Sequence, residues 1–217
     1  MKKVATLNQE QLRELFGETA SSKGTIPAAI EKDFWICWTL MMLFEHDDLK
    51  KLFRFKGGTT LSKCFHVIDR FSEDIDLVLD WSVLTNEDPY EERTNTQQDR
   101  FNKRLNKLAA EYIATDLLPI LNDIMQPPCV AEVDSSDEQI VNLKYPNVFS
   151  HEYLRPGIRL EIGPMGSMVP CSEYTIKAYA AENFPELFEN SVVNVVSIVP
   201  ERTFWEKVTI LHDEAHR

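Results

Sequence analysis

The alternation of apolar and polar residues along the chain predicts several half-buried β-strands. Residues 73–80 show this alternation most clearly, because Ile75, Leu77 and Leu79 are separated by charged or smaller residues. Successive side chains of a strand point to opposite faces, so we expect the face with these three residues to lie against a hydrophobic core. The same reasoning predicts strands over residues 129–134, 139–145, 157–163 and 192–198.

A period near 3.6 residues predicts two long helices, over residues 27–46 and 97–125. The first is apolar around most of its circumference, with Phe34 and Trp35 near its start, so we expect it to be buried on several sides. In the second, Pro119 is expected to kink or split the helix, because proline cannot donate a backbone hydrogen bond. Shorter helices are predicted over residues 7–20, 174–181 and 202–216, and Phe204, Val208 and Leu211 form the apolar face of the last one.

Three charged residues, Glu31, Lys32 and Asp33, lie near the start of the helix predicted over residues 27–46. Negative charges in the first turn of a helix interact favourably with the helix dipole. We therefore interpret the three residues as an ordinary charged first turn.

The composition is that of a soluble globular protein with one domain. The chain has 217 residues, of which 43% are hydrophobic and 27% are charged, and its net charge is −12. A protein this acidic is not expected to offer a broad nonspecific surface for nucleic acid, although it is compatible with a local basic groove. The four cysteines are far apart in the sequence, and neither a signal pattern nor a membrane-spanning run is present, so we expect a cytoplasmic protein with free thiols.

Two carboxylates share the polar face of the strand predicted over residues 73–80. Asp74 and Asp76 are two residues apart, so their side chains project together from a strand whose other face is apolar. Neighbouring carboxylates repel each other unless a cation or a proton lies between them. Mg²⁺ takes oxygen ligands, commonly one or two carboxylates together with the phosphates of a substrate. The pair therefore predicts a site for a divalent cation.

A double glycine precedes this strand and predicts a phosphate site. Gly57 and Gly58 allow backbone angles and close approaches that a Cβ atom would forbid. Thr59 or Thr60 is expected to cap the helix that follows, and the amides at a helix N-terminus attract anions. A phosphate cradle beside a metal-binding carboxylate pair favours phosphoryl or nucleotidyl transfer.

Two motifs together resemble those of the AbiEii-type nucleotidyltransferase toxin family. They are Lys56-Gly57-Gly58-Thr59 and Arg70-Phe71-Ser72-Glu73-Asp74-Ile75-Asp76-Leu77, which occur in the order and spacing of that family. Members of the family are the toxins of bacterial type IV toxin–antitoxin and abortive-infection systems. The resemblance covers the chain from residue 27 to residue 217, and Glu31-Lys32-Asp33-Phe34-Trp35 is similar to a family element that precedes the glycine turn.

The resemblance implies a fold as well as an activity. It implies an α+β protein with a mixed, largely antiparallel sheet of about five strands flanked by helices, which is a nucleotidyltransferase-like fold. Sequences of the family continue into a helical C-terminal part beyond the last predicted helix. We therefore expect residues 1–217 to form a single nucleotidyltransferase-like domain without that part.

Two further residues gain candidate roles from the resemblance. Glu161 lies in a predicted strand of the kind that carries the third acidic residue of the family, and Lys207 lies in Thr203-Phe204-Trp205-Glu206-Lys207-Val208, which resembles the motif whose lysine faces the nucleotide phosphates. From the residues alone, Glu161 also fits an ion pair with Arg159. Lys207 also fits an ordinary exposed helix face.

The activity that the resemblance implies is metal-dependent nucleotidyl transfer. Mg²⁺ or Mn²⁺ would be held by Asp74 and Asp76, and a nucleoside monophosphate would pass from an NTP to an acceptor. The expected acceptor is tRNA, and a cognate antitoxin is an expected partner. The expected catalytic residues are Asp74, Asp76, Glu161 and Lys207, and the expected nucleotide-binding residues are Lys56, Gly57, Gly58, Thr59 and Ser72.

A basic stripe follows one face of the helix predicted over residues 97–125. Its members are Arg100, Lys103, Arg104 and Lys107, which recur at the spacing of one helix face. In so acidic a chain, this stripe is the best local candidate for binding RNA or a triphosphate. A solvated helix face that binds nothing has the same pattern.

Other functions are compatible with the sequence. The same site fits a small-molecule or protein acceptor, and a third interpretation is a catalytically inactive binding module. The segment His212-Asp213-Glu214-Ala215-His216 lacks the glutamate that follows the first histidine in zinc proteases, so we do not assign it a metal site.

Overall fold

The fold is described here from a computed structural model that covers residues 1–68 and 72–215, without the side chains of Ile210 and Asp213. Arg70 and Phe71 of the second motif, and His216, lie outside the described residues. The helices are α1 (Lys2–Ala5), α2 (Gln9–Lys23), α3 (Pro27–Glu45), α4 (Leu49–Leu52), α5 (Gly57–Lys63), α6 (Asn95–Tyr112), α7 (Leu118–Met125), α8 (Tyr179–Asn183) and α9 (Pro200–Ala215). The strands are β1 (Phe53–Lys56), β2 (Asp74–Leu79), β3 (Val130–Val133), β4 (Ile140–Lys144), β5 (Ile158–Gly163), β6 (Cys171–Ile176) and β7 (Val193–Ile198).

The strands form one mixed sheet with the order β3-β4-β5-β2-β1-β7-β6. The pairings β2–β5 and β1–β7 are parallel, whereas β1–β2, β3–β4, β4–β5 and β6–β7 are antiparallel. This confirms the predicted α+β class with a mixed, largely antiparallel sheet flanked by helices.

The sheet is larger than expected because β6 was not predicted. The helix predicted to begin at Tyr174 is wrong, since this residue lies in β6 and the helix α8 begins only at Tyr179. Cys171–Ile176 pairs with β7 along its whole length and has few buried side chains. An edge strand of this kind is held by its backbone ladder rather than by an apolar face, so its sequence carries a weak strand signal.

The two faces of the sheet differ sharply in polarity. Ile75, Leu77 and Leu79 of β2 are fully buried, as predicted, and so are Ile158 and Leu160 of β5. The helix α3 packs over this face against β5 and β7, and α2 packs against α3. The opposite face carries the charged side chains of β1, β2 and β5, and it is this face that presents the candidate site.

The central helix α3 is buried on all sides, as its apolar circumference predicts. The charged residues near its start contradict the sequence-based interpretation, because Glu31, Lys32 and Asp33 lie in the second turn and have exposed fractions of 0%, 1% and 0%. They are not an ordinary charged first turn in contact with water. Charges buried to this extent need partners, and those partners lie around the candidate site.

The long helix predicted over residues 97–125 is interrupted, as expected from Pro119. A π-helical turn over Ile113–Leu117 separates α6 from α7 and directly precedes this proline. Proline lacks the backbone N–H that a continuous helix requires, and a wider turn accommodates the missing bond. The start of α6 is fixed by a capping box between Thr94 and Gln97.

The final helix α9 begins at Pro200 and differs from the prediction in the face that it buries. Phe204 and Leu211, which were expected to pack inward, are 59% and 69% exposed, whereas Thr203 is buried. Among the helices of the described chain, none is long and apolar enough to cross a bilayer.

Candidate active site

The strand register brings the predicted acidic and basic residues together. Asp76 of β2 lies opposite Lys56 of β1 on one side and opposite Glu161 of β5 on the other. Asp74 lies opposite Arg159 of β5. A cavity of about 230 Å³ opens over Lys56, Asp76 and Glu161. The third acid expected from the resemblance is therefore the immediate cross-strand neighbour of Asp76.

The glycine at the end of β1 is required by the carboxylate of Asp76. Gly57 has a φ of 82°, which lies in the left-handed region that side chains disfavour. A Cβ atom at this position would lie 1.8 Å from Oδ2 of Asp76. Only glycine therefore lets the chain turn from β1 into α5 with the carboxylate directly against its backbone.

The two threonines after the double glycine do not cap α5, so the predicted cap is wrong. The helix begins at Gly57 itself, with Lys56 at the cap position. The hydroxyl of Thr59 donates to the carbonyl of Asp74 at 2.6 Å, and that of Thr60 donates to the carbonyl of Gly57 at 2.8 Å. Thr59 thus connects α5 to Asp74, which is the first residue of β2 and of the acidic pair.

Burial and the neighbouring charges of the site change the pKa of Asp76. Burial, together with the nearby carboxylates of Glu161 and Asp74, raises the pKa of Asp76 to about 6. The positive charges of Lys56 and Lys207 act in the opposite direction. Lys207, predicted from the resemblance, therefore lies within electrostatic reach of the acidic pair, and its side chain is exposed to solvent.

The acidic residues supply only some of the ligands that a divalent cation needs. In residues 1–68 and 72–215, no group of three or more His, Cys, Asp or Glu side chains is arranged to hold a metal ion by itself. The donors present are carboxylate oxygens, and burial together with their mutual repulsion raises the pKa of Asp76. Such a set fits Mg²⁺, which accepts one or two carboxylates and takes its remaining ligands from phosphates and water.

Two arginines border the acidic pair on the side of β5. Nη2 of Arg159 lies 3.4 Å from Oε1 of Glu161, and Nη1 of Arg155 lies 3.8 Å from Oδ1 of Asp74. Glu161 thus fits both descriptions given by its sequence, as the neighbour of Asp76 and as the partner of Arg159. Arg155 precedes β5 and had no predicted role.

A buried ion pair holds the loop before β5 against the start of β2. Nζ of Lys32 donates to Oε2 of Glu73 at 2.5 Å and to the carbonyl of Arg155 at 2.8 Å. The backbone N–H of Arg155 donates to the same Glu73 oxygen at 3.0 Å. Burial alone would raise the pKa of Glu73, but these hydrogen bonds hold it below its ordinary value. The residue next to Asp74 is thereby tied to α3.

The other two buried charges of α3 anchor two more segments around the site. Glu31 accepts hydrogen bonds from the backbone N–H groups of Val148 and Phe149, at 2.8 and 2.9 Å. Asp33 pairs with Lys63 at the end of α5 and accepts a hydrogen bond from the N–H of Tyr179. The opening of α3 is therefore a framework for both sides of the site. The sequence could have indicated that these charges are buried and paired, because charged residues in a helix that is apolar all round cannot all reach water.

The predicted basic stripe lies on the exposed face of α6. Arg104 pairs with Glu87 at 2.5 Å, and Lys107 lies 3.8 Å from Glu111. Arg100 and Lys103 are exposed and have no ion pair within the described part of the chain. On the same helix, Asn106 accepts a 3.4 Å hydrogen bond from Gln139, and Gln139 lines the cavity over the acidic residues.

Of the remaining predicted nucleotide-binding residues, Gly58 lies in the first turn of α5 beside Gly57. Ser72 is half-buried and lies two residues before β2.

Comparison with known families places this site in context. The model of the family described as "Nucleotidyl transferase AbiEii toxin, Type IV TA system" matches residues 39–217, which is most of the chain and includes every candidate site residue named on β1, α5, β2, β5 and α9. The matched range begins after Glu31, Lys32 and Asp33, so their link to the site is shown by their contacts alone. No curated protein matches the chain.

Removing the buried ammonium group is expected to weaken the fold substantially. Lys32→Met keeps the side-chain length but leaves Glu73 and the Arg155 carbonyl without their donor, and we expect a loss of about 2–4 kcal/mol in the free energy of unfolding. Urea titration followed by tryptophan fluorescence measures it. Lys2→Met, which breaks the exposed pair with Glu45, is the control and is expected to cost less than about 1 kcal/mol. Equal small losses in both variants would show that the buried pair does not hold the loop.

The raised pKa of Asp76 predicts a stability cost that depends on pH. The pKa is about 6 in the folded chain and 3.8 in the reference state, so the penalty is absent below about pH 4 and complete above about pH 6. Asp76→Asn should therefore stabilise the metal-free protein by about 1–2 kcal/mol at pH 7.5 and leave its stability at pH 4 unchanged. Denaturant titrations in EDTA at the two pH values test this, with Asp123→Asn on the exposed surface of α7 as the control. If Asp76→Asn changed the stability equally at both pH values, the result would contradict a pKa of Asp76 that is raised by burial and by the neighbouring carboxylates.

Proposed function

Because the chain belongs to the AbiEii nucleotidyl transferase toxin family of type IV toxin–antitoxin systems, we propose that it transfers a nucleoside monophosphate from an NTP to tRNA in a metal-dependent reaction. The observation that carries this proposal is the register of Lys56, Asp76 and Glu161 on three adjacent strands, directly beside Gly57. The ammonium group of Lys56 and the carboxylates of Asp76 and Glu161 line one cavity beside the turn at Gly57, and groups of these types support the proposal because phosphoryl transfer uses them.

In this proposal the triphosphate lies on the side of β1. The backbone at Gly57 and Gly58 approaches the phosphates closely. Ser72, two residues before Asp74, is a further proposed contact to the phosphates. Lys56 and Lys207 supply positive charge to the phosphates and to the departing pyrophosphate. Thr59 is buried and bonded to the main chain of Asp74, so its proposed role is to hold α5 against β2 rather than to contact the nucleotide.

Asp74 and Asp76 are the residues that would hold Mg²⁺ or Mn²⁺. When bound, the ion would neutralise charge on the triphosphate and on the acidic pair. Asp76 must be deprotonated to act as a ligand, and a bound cation would favour the deprotonated carboxylate by neutralising its charge.

The acceptor supplies the attacking oxygen. Its hydroxyl attacks the α-phosphorus, the bond from that phosphorus to the β-phosphate oxygen breaks, and pyrophosphate leaves. Glu161 is the proposed acceptor of the hydroxyl proton, since it borders Asp76 and is held in place by Arg159. A nucleotide added to the acceptor end of tRNA would block aminoacylation and stop translation, which accounts for toxicity.

The family also implies partners. A type IV toxin has a cognate antitoxin encoded with it, so we expect an antitoxin for this chain. The choice of tRNA as the acceptor is supported by the exposed cations Arg100 and Lys103 on α6, whose neighbour Asn106 contacts a residue that lines the site.

Incubation of the purified chain with labelled NTPs, Mg²⁺ and total tRNA tests the proposed function. The wild-type chain is expected to transfer label to RNA, and the double variant Asp74→Asn/Asp76→Asn is expected to lose at least about 10²-fold in rate. Asp80→Asn is the matched control, because Asp80 follows the same strand but only caps the turn at Ser82, a role that asparagine also performs.

The distribution of label decides among the alternatives. Label on a small molecule or a protein would keep the chemistry but reject tRNA as the acceptor. Absence of transfer by the wild-type chain, or equal transfer by the double variant, would contradict the proposed function.

A further inference from the structure

We propose that Arg155 and Arg159 form a binding site for a phosphodiester of the acceptor strand, next to the hydroxyl at the 3′ end of an RNA. The proposal rests on the proposed nucleotidyl transfer and adds the site that recognises the acceptor. Neither arginine belongs to the predicted motifs, and both lie beside the acidic pair on the side away from the glycine turn.

Arg159 is built into the sheet and retains unused donors. It lies opposite Asp74 in the register between β2 and β5, and Nη2 reaches Glu161 at 3.4 Å. Its Nε is buried and has no hydrogen-bond partner among the described residues. An arginine has five N–H donors in a fixed fork, so a single contact with Glu161 leaves donors of the two Nη atoms available for an anion.

Arg155 is held by its backbone while its side chain stays open to solvent. Its N–H and carbonyl are bonded to Glu73 and Lys32, so the buried ion pair fixes the position of its Cα. The Arg155 side chain is 57% exposed, and its Nη1 lies 3.8 Å from Oδ1 of Asp74, a loose contact that a better partner would replace. A fixed backbone that carries an exposed arginine is suited to binding a phosphate group.

The positions of the charges distinguish the side of the site that would bind the NTP from the side that would bind the acceptor RNA. β2 lies between β1, which carries Lys56 and leads into the glycine turn, and β5, which carries Arg159. Glu206 of α9 lies 4.0 Å from Lys56, so this helix also borders the β1 side. In an in-line displacement the attacking oxygen and the leaving pyrophosphate lie on opposite sides of the α-phosphorus. With the triphosphate on the β1 side, the acceptor approaches from the β5 side, where the two arginines lie.

The charge of this side favours a particular class of acceptor. In a chain with a net charge of −12, two arginines beside the acids attract an anionic molecule and disfavour a cationic small molecule. A hydroxyl at the 3′ end of RNA has a phosphodiester one nucleotide away, within reach of groups that flank the reacting site. Arg100 and Lys103 on α6 offer further cations to the strand beyond it.

Equilibrium binding of RNA in the absence of NTP tests the proposal. The probe is a fluorescein-labelled single-stranded RNA with a free 3′ hydroxyl, and its anisotropy is measured with the whole chain over a range of salt concentrations. Each phosphate contact with single-stranded nucleic acid contributes about 0.7 to the slope of log K against log [salt]. Arg155→Gln and Arg159→Gln are each expected to lower the slope by about 0.7 and to weaken binding about tenfold. Arg155→Lys is expected to restore the slope.

A matched control lies on the same face of the sheet. Arg54→Gln removes an arginine of β1 whose guanidinium donates to the carbonyls of Lys50, Lys51 and Phe53, so RNA affinity should not change. NTP affinity in the presence of Mg²⁺, measured by thermal shift, is expected to be the same in all of these variants and in the wild-type chain.

Three results would overturn the proposal. The salt slope of Arg155→Gln and Arg159→Gln is unchanged, or their NTP affinity falls instead of their RNA affinity, or the wild-type chain binds no RNA. This proposal can fail while the proposed function holds, because the wild-type chain and both arginine variants would then still transfer label to tRNA in the transfer assay.

Discussion

The buried charges at the start of α3 are the constraint on which the arrangement of the site depends. Glu31, Lys32 and Asp33 cannot reach water, so each requires a partner inside the protein, and each finds it on a segment that borders the acidic pair. Burying an ion pair rarely adds net stability, whereas breaking one is costly. The network therefore acts chiefly by fixing positions. It makes the end of α5, the residue before Asp74 and the loop before β5 move as one unit with the core.

The acidic pair differs from the paired charges of α3, because here the fold holds carboxylates that repel one another close together. Strand pairing brings Asp74, Asp76 and Glu161 together, and burial, with the two neighbouring carboxylates, raises the pKa of Asp76 to about 6. The apolar face of β2 opposes a shift of its register by one residue, because such a shift would turn Ile75, Leu77 and Leu79 towards solvent. The core thus pins the register, and the register holds three carboxylates where a cation and a triphosphate would neutralise them.

Much of this arrangement could be predicted from the sequence, and the misses have physical causes. Alternation located β2 and β5, and the apolar pattern located α3, because these elements bury whole faces. Alternation alone could not show that Glu161 lies opposite Asp76, since strand order and register are tertiary properties. The family resemblance identified Glu161 as the third acidic residue but gave no register. β6 was missed because an edge strand needs no apolar face. The charges at 31–33 were misjudged because a dipole argument considers one helix alone, and Arg155 was missed because its place is fixed by contacts with residues distant in the sequence.

The central claim is that Asp74 and Asp76 hold a divalent cation together with an NTP. Titration of Mn²⁺ followed by electron paramagnetic resonance, in the presence and absence of a non-hydrolysable NTP, tests it most directly. We expect the wild-type chain to bind Mn²⁺ more tightly when the NTP is present, and Asp74→Asn/Asp76→Asn to bind it at least about tenfold more weakly under the same conditions. Equal Mn²⁺ affinity in the wild-type chain and the double variant would contradict the account.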